Sequence, residues 1–236
     1  MRIAQHDMTS VLPHIILDTA PNPQYSIIWL HGLGAEGEDF VPVAEEMELP
    51  VAVRYIFPHA PMRPVTINGG YVMRAWYDIL TEAASAEISA SIGKNEDADG
   101  IRSSQAEIEK LIASERQRGI AADHIFLAGF SQGGAVALYT GLRHQERLGG
   151  ILALSTYLPM AATTSAEASD ANRQIGIFMA HGQLDPVIPY ALGKASAEEL
   201  LRLGYAPAWH TYAMPHSVCP EEIGDIEHWL TARLSD

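Results

Sequence analysis

The sequence has little cysteine, little basic charge and no long apolar run. Each of these shortages argues against a class of protein or of partner. The single cysteine, Cys219, excludes a disulfide within the chain and gives no sign of a secreted, disulfide-stapled scaffold. There are 15 basic against 29 acidic residues, and the net charge of -14 argues against nucleic acid or an anionic membrane surface as a partner. No apolar run approaches the ~20 residues that span a bilayer, and the first ten residues lack the apolar core of a signal peptide. We therefore expect a cytoplasmic protein without stable membrane insertion.

The chain has 236 residues, 47% of them hydrophobic, which suits a single large α/β domain over residues 1–236. Short apolar runs alternate with longer helical patterns, and this alternation predicts a mostly parallel sheet covered by helices. Residues 81–91 and 161–172 are expected to be surface excursions, and 93–100 a polar loop. The predicted strands are 14–17, 26–30, 54–57, 125–128, 150–154, 175–180 and 208–212, and the predicted helices are 40–46, 98–118, 132–143, 190–203 and 220–234.

One pentapeptide, Gly129-Phe130-Ser131-Gln132-Gly133, follows a predicted strand and opens a predicted helix. In that context it predicts a nucleophile elbow, a sharp turn that lifts the Ser131 hydroxyl out of the sheet. Larger side chains at positions 129 and 133 would collide with the neighbouring elements, which explains both glycines. The alternative is a serine in an ordinary structural turn.

A serine hydroxyl needs a base within hydrogen-bond reach, and the base needs an acid to orient it. His216 lies in a loop just past the last predicted strand, where this topology delivers a base to the carboxyl edge of the sheet. The acid should lie between the serine and the histidine, where the aspartates are Asp170 and Asp185. Asp185 comes directly after a strand, and Pro186 stiffens its loop, whereas Asp170 lies in a polar excursion. A plain turn aspartate is the alternative reading of Asp185.

Acyl transfer also needs N–H donors for the oxyanion that develops on the substrate. The backbone N–H of Gln132, directly after the nucleophile, is one candidate. The other is the N–H of Leu33 in His31-Gly32-Leu33-Gly34, which follows an earlier strand. This segment lacks the lysine ending and the spacing of a phosphate-binding loop. His31, His181 and Asp185 invite a metal assignment, but no metal-ligand motif accompanies them, and we expect neither a metal nor a cofactor.

The sequence resembles the phospholipase/carboxylesterase family, which includes bacterial carboxylesterases, acyl-protein thioesterases and lysophospholipases. The resemblance covers about residues 25–234. It rests on the segments His31-Gly32-Leu33-Gly34-Ala35, Phe57-Pro58-His59-Ala60-Pro61-Met62-Arg63-Pro64-Val65-Thr66, Ala75-Trp76-Tyr77-Asp78, Gly129-Phe130-Ser131-Gln132-Gly133-Gly134 and His181-Gly182-Gln183-Leu184-Asp185.

That resemblance implies an α/β-hydrolase core with helices on both faces of the sheet and no separate cap domain. It implies Ser131, Asp185 and His216 as a catalytic triad, and oxyanion donors at Leu33 and Gln132. It further implies an acyl-binding groove built with a loop before Trp76. The candidate groove residues by position are Leu33, Met73, Trp76, Leu158 and Val187. The sequence departs from thioesterase-like members at Gln183-Leu184 and around Met214-Pro215, which bears on acyl chain length.

These expectations define a serine esterase acting on small carboxylic esters, thioesters or lysophospholipids. A non-catalytic binding protein on a hydrolase scaffold is the alternative from another class. A dienelactone hydrolase would need a cysteine nucleophile, and Cys219 comes too late in the chain, while a peptidase would usually add a gating domain. A homodimer is retained as a candidate assembly because an apolar groove leaves exposed surface to bury.

Overall fold

The computed structural model describes residues 11–80 and 96–234 and is built on a seven-stranded sheet. The strand order is β1-β3-β2-β6-β7-β8-β9, with β1 antiparallel to β3 and every other pair parallel. The central strands are buried on both faces, which is why they appear in the sequence as continuous apolar runs. The strands of this sheet are β1 His14–Asp18, β2 Tyr25–Leu30, β3 Val53–Pro58, β6 Ile125–Phe130, β7 Gly150–Leu154, β8 Ile177–Gly182 and β9 Ala208–Tyr212.

Helices cover both faces of the sheet and bury two separate cores. One core lies under α2, α3 and α5, and the other lies under α1 and α6. None of the helices within 11–80 and 96–234 is long and apolar enough to cross a membrane. The helices are α1 Val41–Glu46, α2 Ala98–Gln117, α3 Gln132–Arg143, α4 Ala161–Glu167, α5 Tyr190–Arg202 and α6 Pro220–Thr231.

The structure confirms the predicted mostly parallel sheet between two helical layers, and the described ranges contain no separate cap domain. The excursion predicted at 161–172 lies mostly at the surface, but it contains α4 and a 3-10 turn, anchored by the buried Thr164 and Asn172. The polar loop predicted at 93–100 overlaps the helix predicted from residue 98, and α2 begins at Ala98 as that helix prediction requires. The excursion predicted at 81–91 lies outside the described residues.

A two-stranded hairpin, β4 Met62–Val65 and β5 Tyr71–Arg74, is absent from the sequence prediction. It lies beside the main sheet, and the N–H of Gly34 donates to the carbonyl of Arg74 at 2.9 Å. The hairpin is thereby joined to the loop after β2, which carries the predicted oxyanion donor Leu33.

Candidate active site

Ser131 lies at the turn between β6 and α3, with φ 55° and ψ -120°. This conformation is rare for a residue other than glycine, and it persists only where the surroundings hold it. The N–H of Ser131 donates to the carbonyl of Leu154 at 2.9 Å, and the hydroxyl of Thr156 donates to the carbonyl of Ser131 at 2.6 Å. The end of β7 and the residues just after it therefore hold the strained turn at both its N–H and its carbonyl.

The two glycines of the elbow are required by backbone packing. A Cβ atom at Gly129 would lie 2.4 Å from the carbonyl group of Gly133, and a Cβ atom at Gly133 would lie 2.3 Å from the carbonyl oxygen of Leu30. Real Cβ atoms essentially never approach backbone so closely. The collision predicted from the sequence is therefore present, and α3 begins in direct backbone contact with the end of β2.

His216 and Asp185 are joined in the loops that follow β9 and β8. The Nδ1–H of His216 donates to Oδ2 of Asp185 at 2.7 Å, and the other carboxylate oxygen accepts the N–H groups of Val187 and Ile188 at 2.8 and 2.9 Å. Burial acts to raise the pKa of Asp185, but the hydrogen bonds from His216 and from these N–H groups outweigh it and hold the pKa below its usual value. Asp185 is therefore an anion at neutral pH, and the imidazole of His216 carries its proton on Nδ1.

The acid loop and the base loop also pair through their backbones. The N–H of Gln183 donates to the carbonyl of Tyr212 at 2.8 Å, and the N–H of Leu184 donates to the carbonyl of Met214 at 3.1 Å. A Cβ atom at Gly182 would lie 2.3 Å from the carbonyl oxygen of Pro215, so glycine is required where the two loops touch. The pairing of β8 with β9 therefore continues past the strand ends to Leu184 and Met214, close to Asp185 and His216.

His31 orients the loop that carries Leu33. The N–H of Ala60 donates to Nε2 of His31 at 3.0 Å, so the ring proton lies on Nδ1, which donates to the carbonyl of Gly32 at 2.7 Å. Burial lowers the pKa of His31, consistent with this neutral ring. The Gly32 carbonyl and the Leu33 N–H belong to one trans peptide and point in opposite directions. Because the carbonyl faces the His31 ring, the Leu33 N–H faces away from it.

Gln132 is the first residue of α3, so its N–H has no acceptor within the helix. Its side chain is buried and forms two hydrogen bonds to the segment after β5. Oε1 accepts the N–H of Trp76 at 2.8 Å, and Nε2 donates to the carbonyl of Tyr77 at 2.7 Å. The side chain thereby fixes the position from which the backbone N–H is presented.

A cavity of about 570 Å³ lies at this edge of the sheet, and Ser131 and His216 both line it. Most of its other lining side chains are apolar, and Asp39 adds a carboxylate. The ring of Phe130 flanks His216, with 4.6 Å between the ring centroids. The lining residues are Gly32, Leu33, Ala35, Asp39, Phe40, Val43, Phe130, Ser131, Val187, His216, Ser217 and Val218.

The predicted groove residues divide into two sets in this structure. Leu33 and Val187 line the cavity with Ser131. Met73, Trp76 and Leu158 do not belong to its lining; Trp76 is fully buried and Leu158 nearly so. A role for these three in acyl binding stays a prediction.

Phe40, Val43 and Val218 line the cavity and were not predicted. Phe40 directly precedes α1 and Val43 lies in its first turn, and both line the cavity together with the predicted Leu33 and Val187. Their apolar character is the same as that of core residues, so the sequence gives no separate signal for them.

His181 and a small acidic cluster also lie near the site. Nε2 of His181 contacts the carbonyl of Ile188 at 2.9 Å and lies 3.5 Å from Oδ2 of Asp185. Among the described residues, one trio brings potential metal ligand atoms within 4.8 Å of one another, namely Glu36, Glu38 and His59. Both glutamates are exposed, and Glu36 forms an ion pair with Arg74 at 3.1 Å, so we assign no metal to this trio.

The fold and the site together define a class. A strained serine between a central parallel strand and a helix, followed in the chain by an acid and a base beyond later strands, is the arrangement of α/β-hydrolases. The family model of phospholipases and carboxylesterases matches residues 14–234, and the chain belongs to that family.

Curated relatives and solved structures agree with this family. The chain is 39% identical to acyl-protein thioesterase 1 of Gibberella zeae, covering 93% of this chain and 95% of the relative. It is 40% identical to acyl-protein thioesterase 1 of Neurospora crassa, covering 94% and 92%. The crystal structure of acyl-protein thioesterase 2 from Zea mays superposes with a TM-score of 0.80 at 30% identity, covering 95% of this chain and all of that one. The protein is therefore an enzyme, a hydrolase of the esterase and thioesterase type.

Proposed function

We propose that the protein is a serine hydrolase that cleaves carboxylic esters and thioesters with an apolar acyl group, through a triad of Ser131, His216 and Asp185. The observation that carries the proposal is the shared cavity: the strained serine and the histidine bonded to a buried carboxylate line the same apolar space. The thioesterase names of the relatives support thioesters within the substrate class. The cavity of about 570 Å³ has room for an acyl chain.

The proposed reaction begins with proton transfer. Because Nδ1 of His216 donates to Asp185, Nε2 is the ring atom left to accept the proton of Ser131 as its oxygen attacks the acyl carbon. The N–H groups of Leu33 and Gln132 hold the oxyanion of the tetrahedral intermediate. His216 then protonates the leaving alcohol or thiol, and it later activates the water that hydrolyses the acyl-enzyme. Asp185 keeps the ring oriented and stabilises its charged form.

Substitution of the nucleophile tests the proposal directly. We expect Ser131→Ala to lower turnover of p-nitrophenyl esters by roughly a million-fold, the scale typical of losing a triad nucleophile. A fluorophosphonate probe should label the wild-type enzyme, and mass spectrometry should place the adduct on Ser131 and not on Ser217, the other serine that lines the cavity. A folded wild-type protein that is never labelled would favour the non-catalytic binding protein. A Ser131→Ala variant that keeps most of its activity would refute the assigned nucleophile.

The preferred leaving group and acyl length require a substrate panel. We expect p-nitrophenyl esters and acyl-thioesters of matched chain length both to be cleaved, because an apolar cavity recognises the shared acyl group. A lysophospholipid of the same acyl length completes the comparison. A homodimer and a cytoplasmic location stay predictions from the sequence.

A further inference from the structure

We infer that Trp76 is a positioning residue for the oxyanion hole, because it holds both proposed donor segments at once. The inference rests on the proposed function, in which the N–H groups of Leu33 and Gln132 bind the oxyanion. It gives Trp76 a role different from acyl binding, since its side chain is fully buried.

The first link runs through the indole. The Nε1–H of Trp76 donates to the carbonyl of His31 at 2.8 Å, and the two rings pack with 5.4 Å between their centroids. His31 in turn donates to the carbonyl of Gly32, in the same peptide that carries the Leu33 N–H. Trp76 therefore fixes the residue that sets the direction of the first donor.

The second link runs through the main chain of the same residue. The N–H of Trp76 donates to Oε1 of Gln132 at 2.8 Å, and the next carbonyl, that of Tyr77, accepts from Nε2 of the same side chain at 2.7 Å. The hydroxyl of Ser104 on α2 donates to the carbonyl of Trp76, which anchors the segment to the core. One residue thus spans the gap between the loop after β2 and the first turn of α3.

Joining the two donors matters because oxyanion stabilisation depends on donors that are already in place when charge develops. Loss of one such donor typically costs on the order of 100- to 1,000-fold in kcat, and a displacement of about 1 Å can cost about 100-fold. Loosening Trp76 should therefore affect the transition state more than substrate binding.

Packing is the competing explanation, and the chain offers a matched control. Trp29 on β2 is also fully buried, but its Nε1 has no hydrogen-bond partner among the described residues. Replacement of either tryptophan by phenylalanine removes the same atoms from a core. Only in Trp76→Phe does the change also remove a hydrogen bond to the loop after β2.

The experiment compares Trp76→Phe with Trp29→Phe on a p-nitrophenyl ester, with thermal unfolding of each variant. We expect Trp76→Phe to lower kcat by about 10- to 100-fold, with KM within about twofold of wild type. The affinity for a trifluoromethyl ketone, which forms a bound oxyanion, should fall in parallel with kcat. Trp29→Phe should change kcat and this affinity by less than about threefold.

A second variant tests the second link, which Trp76→Phe leaves in place, and it keeps the inference testable if Trp76→Phe does not fold. Gln132→Met keeps the backbone N–H that serves as a donor but removes both side-chain bonds to the segment 76–77. It should show the same loss of kcat and of trifluoromethyl ketone affinity, again with little change in KM.

The outcomes separate this inference from the proposed function. An active wild-type enzyme whose Trp76→Phe and Gln132→Met variants lose no more than Trp29→Phe overturns the positioning role and leaves the function intact. Equal losses in kcat for both tryptophan variants, without a selective loss of ketone affinity, assign Trp76 to packing. A wild-type protein without esterase or thioesterase activity and without probe labelling overturns the function itself.

Discussion

Replacing Asp185 by asparagine should disable the enzyme with almost no change in shape. One carboxylate oxygen accepts the N–H groups of Val187 and Ile188, and an amide oxygen can keep both bonds. The amide NH₂ then occupies the position of Oδ2, 2.7 Å from Nδ1 of His216 in the wild type. Two donors cannot face each other there, so the ring proton moves to Nε2. The base then presents an N–H group, and not a lone pair, to Ser131.

The change of the His216 tautomer sets the expected loss of kcat. Loss of the correct tautomer in a serine triad lowers kcat by about 10⁴-fold, which corresponds to about 5.5 kcal/mol of transition-state stabilisation. We therefore expect Asp185→Asn to lose on the order of 10⁴-fold in kcat on p-nitrophenyl butyrate. KM should change little, because the loop and the cavity lining are retained.

Asp170 provides the matched control, since it is the other aspartate between the serine and the histidine. Its side chain is 98% exposed and pairs at 3.3 Å with Arg173 on the surface. Asp170→Asn should stay within about twofold of wild type in kcat, as surface ion pairs contribute little. If Asp185→Asn, folded by circular dichroism, kept more than a tenth of the wild-type kcat, the assignment of the acid would be wrong.

Two further substitutions test the elbow and a buried acid. Gly133→Ala places a Cβ atom 2.3 Å from the carbonyl of Leu30, so we expect most esterase activity to be lost, with about 1–3 kcal/mol of stability in urea unfolding. Gly224→Ala is the control, because a Cβ atom there meets nothing within 4 Å, and it should raise the stability by up to about 1 kcal/mol. An equal loss of stability in both variants would refute the packing argument. Burial raises the pKa of Glu222 to about 8, so the folded state keeps a proton that the unfolded chain releases above its usual value of 4.5. Its contribution to stability therefore falls as the pH rises from 4.5 to 8, by at most about 1.4 kcal/mol per pH unit. Glu222→Gln should flatten the pH dependence of stability measured by urea unfolding at about pH 5 and about pH 8. An unchanged pH dependence would contradict the role of Glu222.

The main sheet and the elements around the candidate site could be predicted from the sequence. The buried strands are apolar runs bounded by polar residues, and β7, β9 and α3 lie at the predicted bounds. The reason is physical. Strands covered on both faces are continuous apolar runs in the sequence. Backbone contact requires glycine at positions 129 and 133, and these two glycines mark the elbow. Asp185 and His216 could be placed together because both follow neighbouring strands at the same edge of the sheet.

Two features could not be predicted from the sequence, the hairpin β4–β5 and the hydrogen bond of the Trp76 indole, and the reasons differ. The hairpin β4–β5 contains Pro64 and is half exposed, so it lacks the alternation typical of a strand with one buried face. The indole of Trp76 donates to a carbonyl 45 residues earlier in the chain, a contact that the sequence does not reveal. No local sequence pattern distinguishes a tryptophan that only packs in the core from one whose indole also donates a hydrogen bond to a distant loop.

The backbone pairing between the acid loop and the base loop has a consequence for how the enzyme can vary. Because Gly182 touches Pro215 and the hydrogen bonds of positions 183 and 184 cross to the other loop, the carboxylate and the imidazole shift together. The side chains of Gln183 and Leu184 nevertheless face outward, and Leu184 is 69% exposed. Substitutions of these two side chains should therefore alter the surface beside the site while the proposed proton-transfer geometry stays constant.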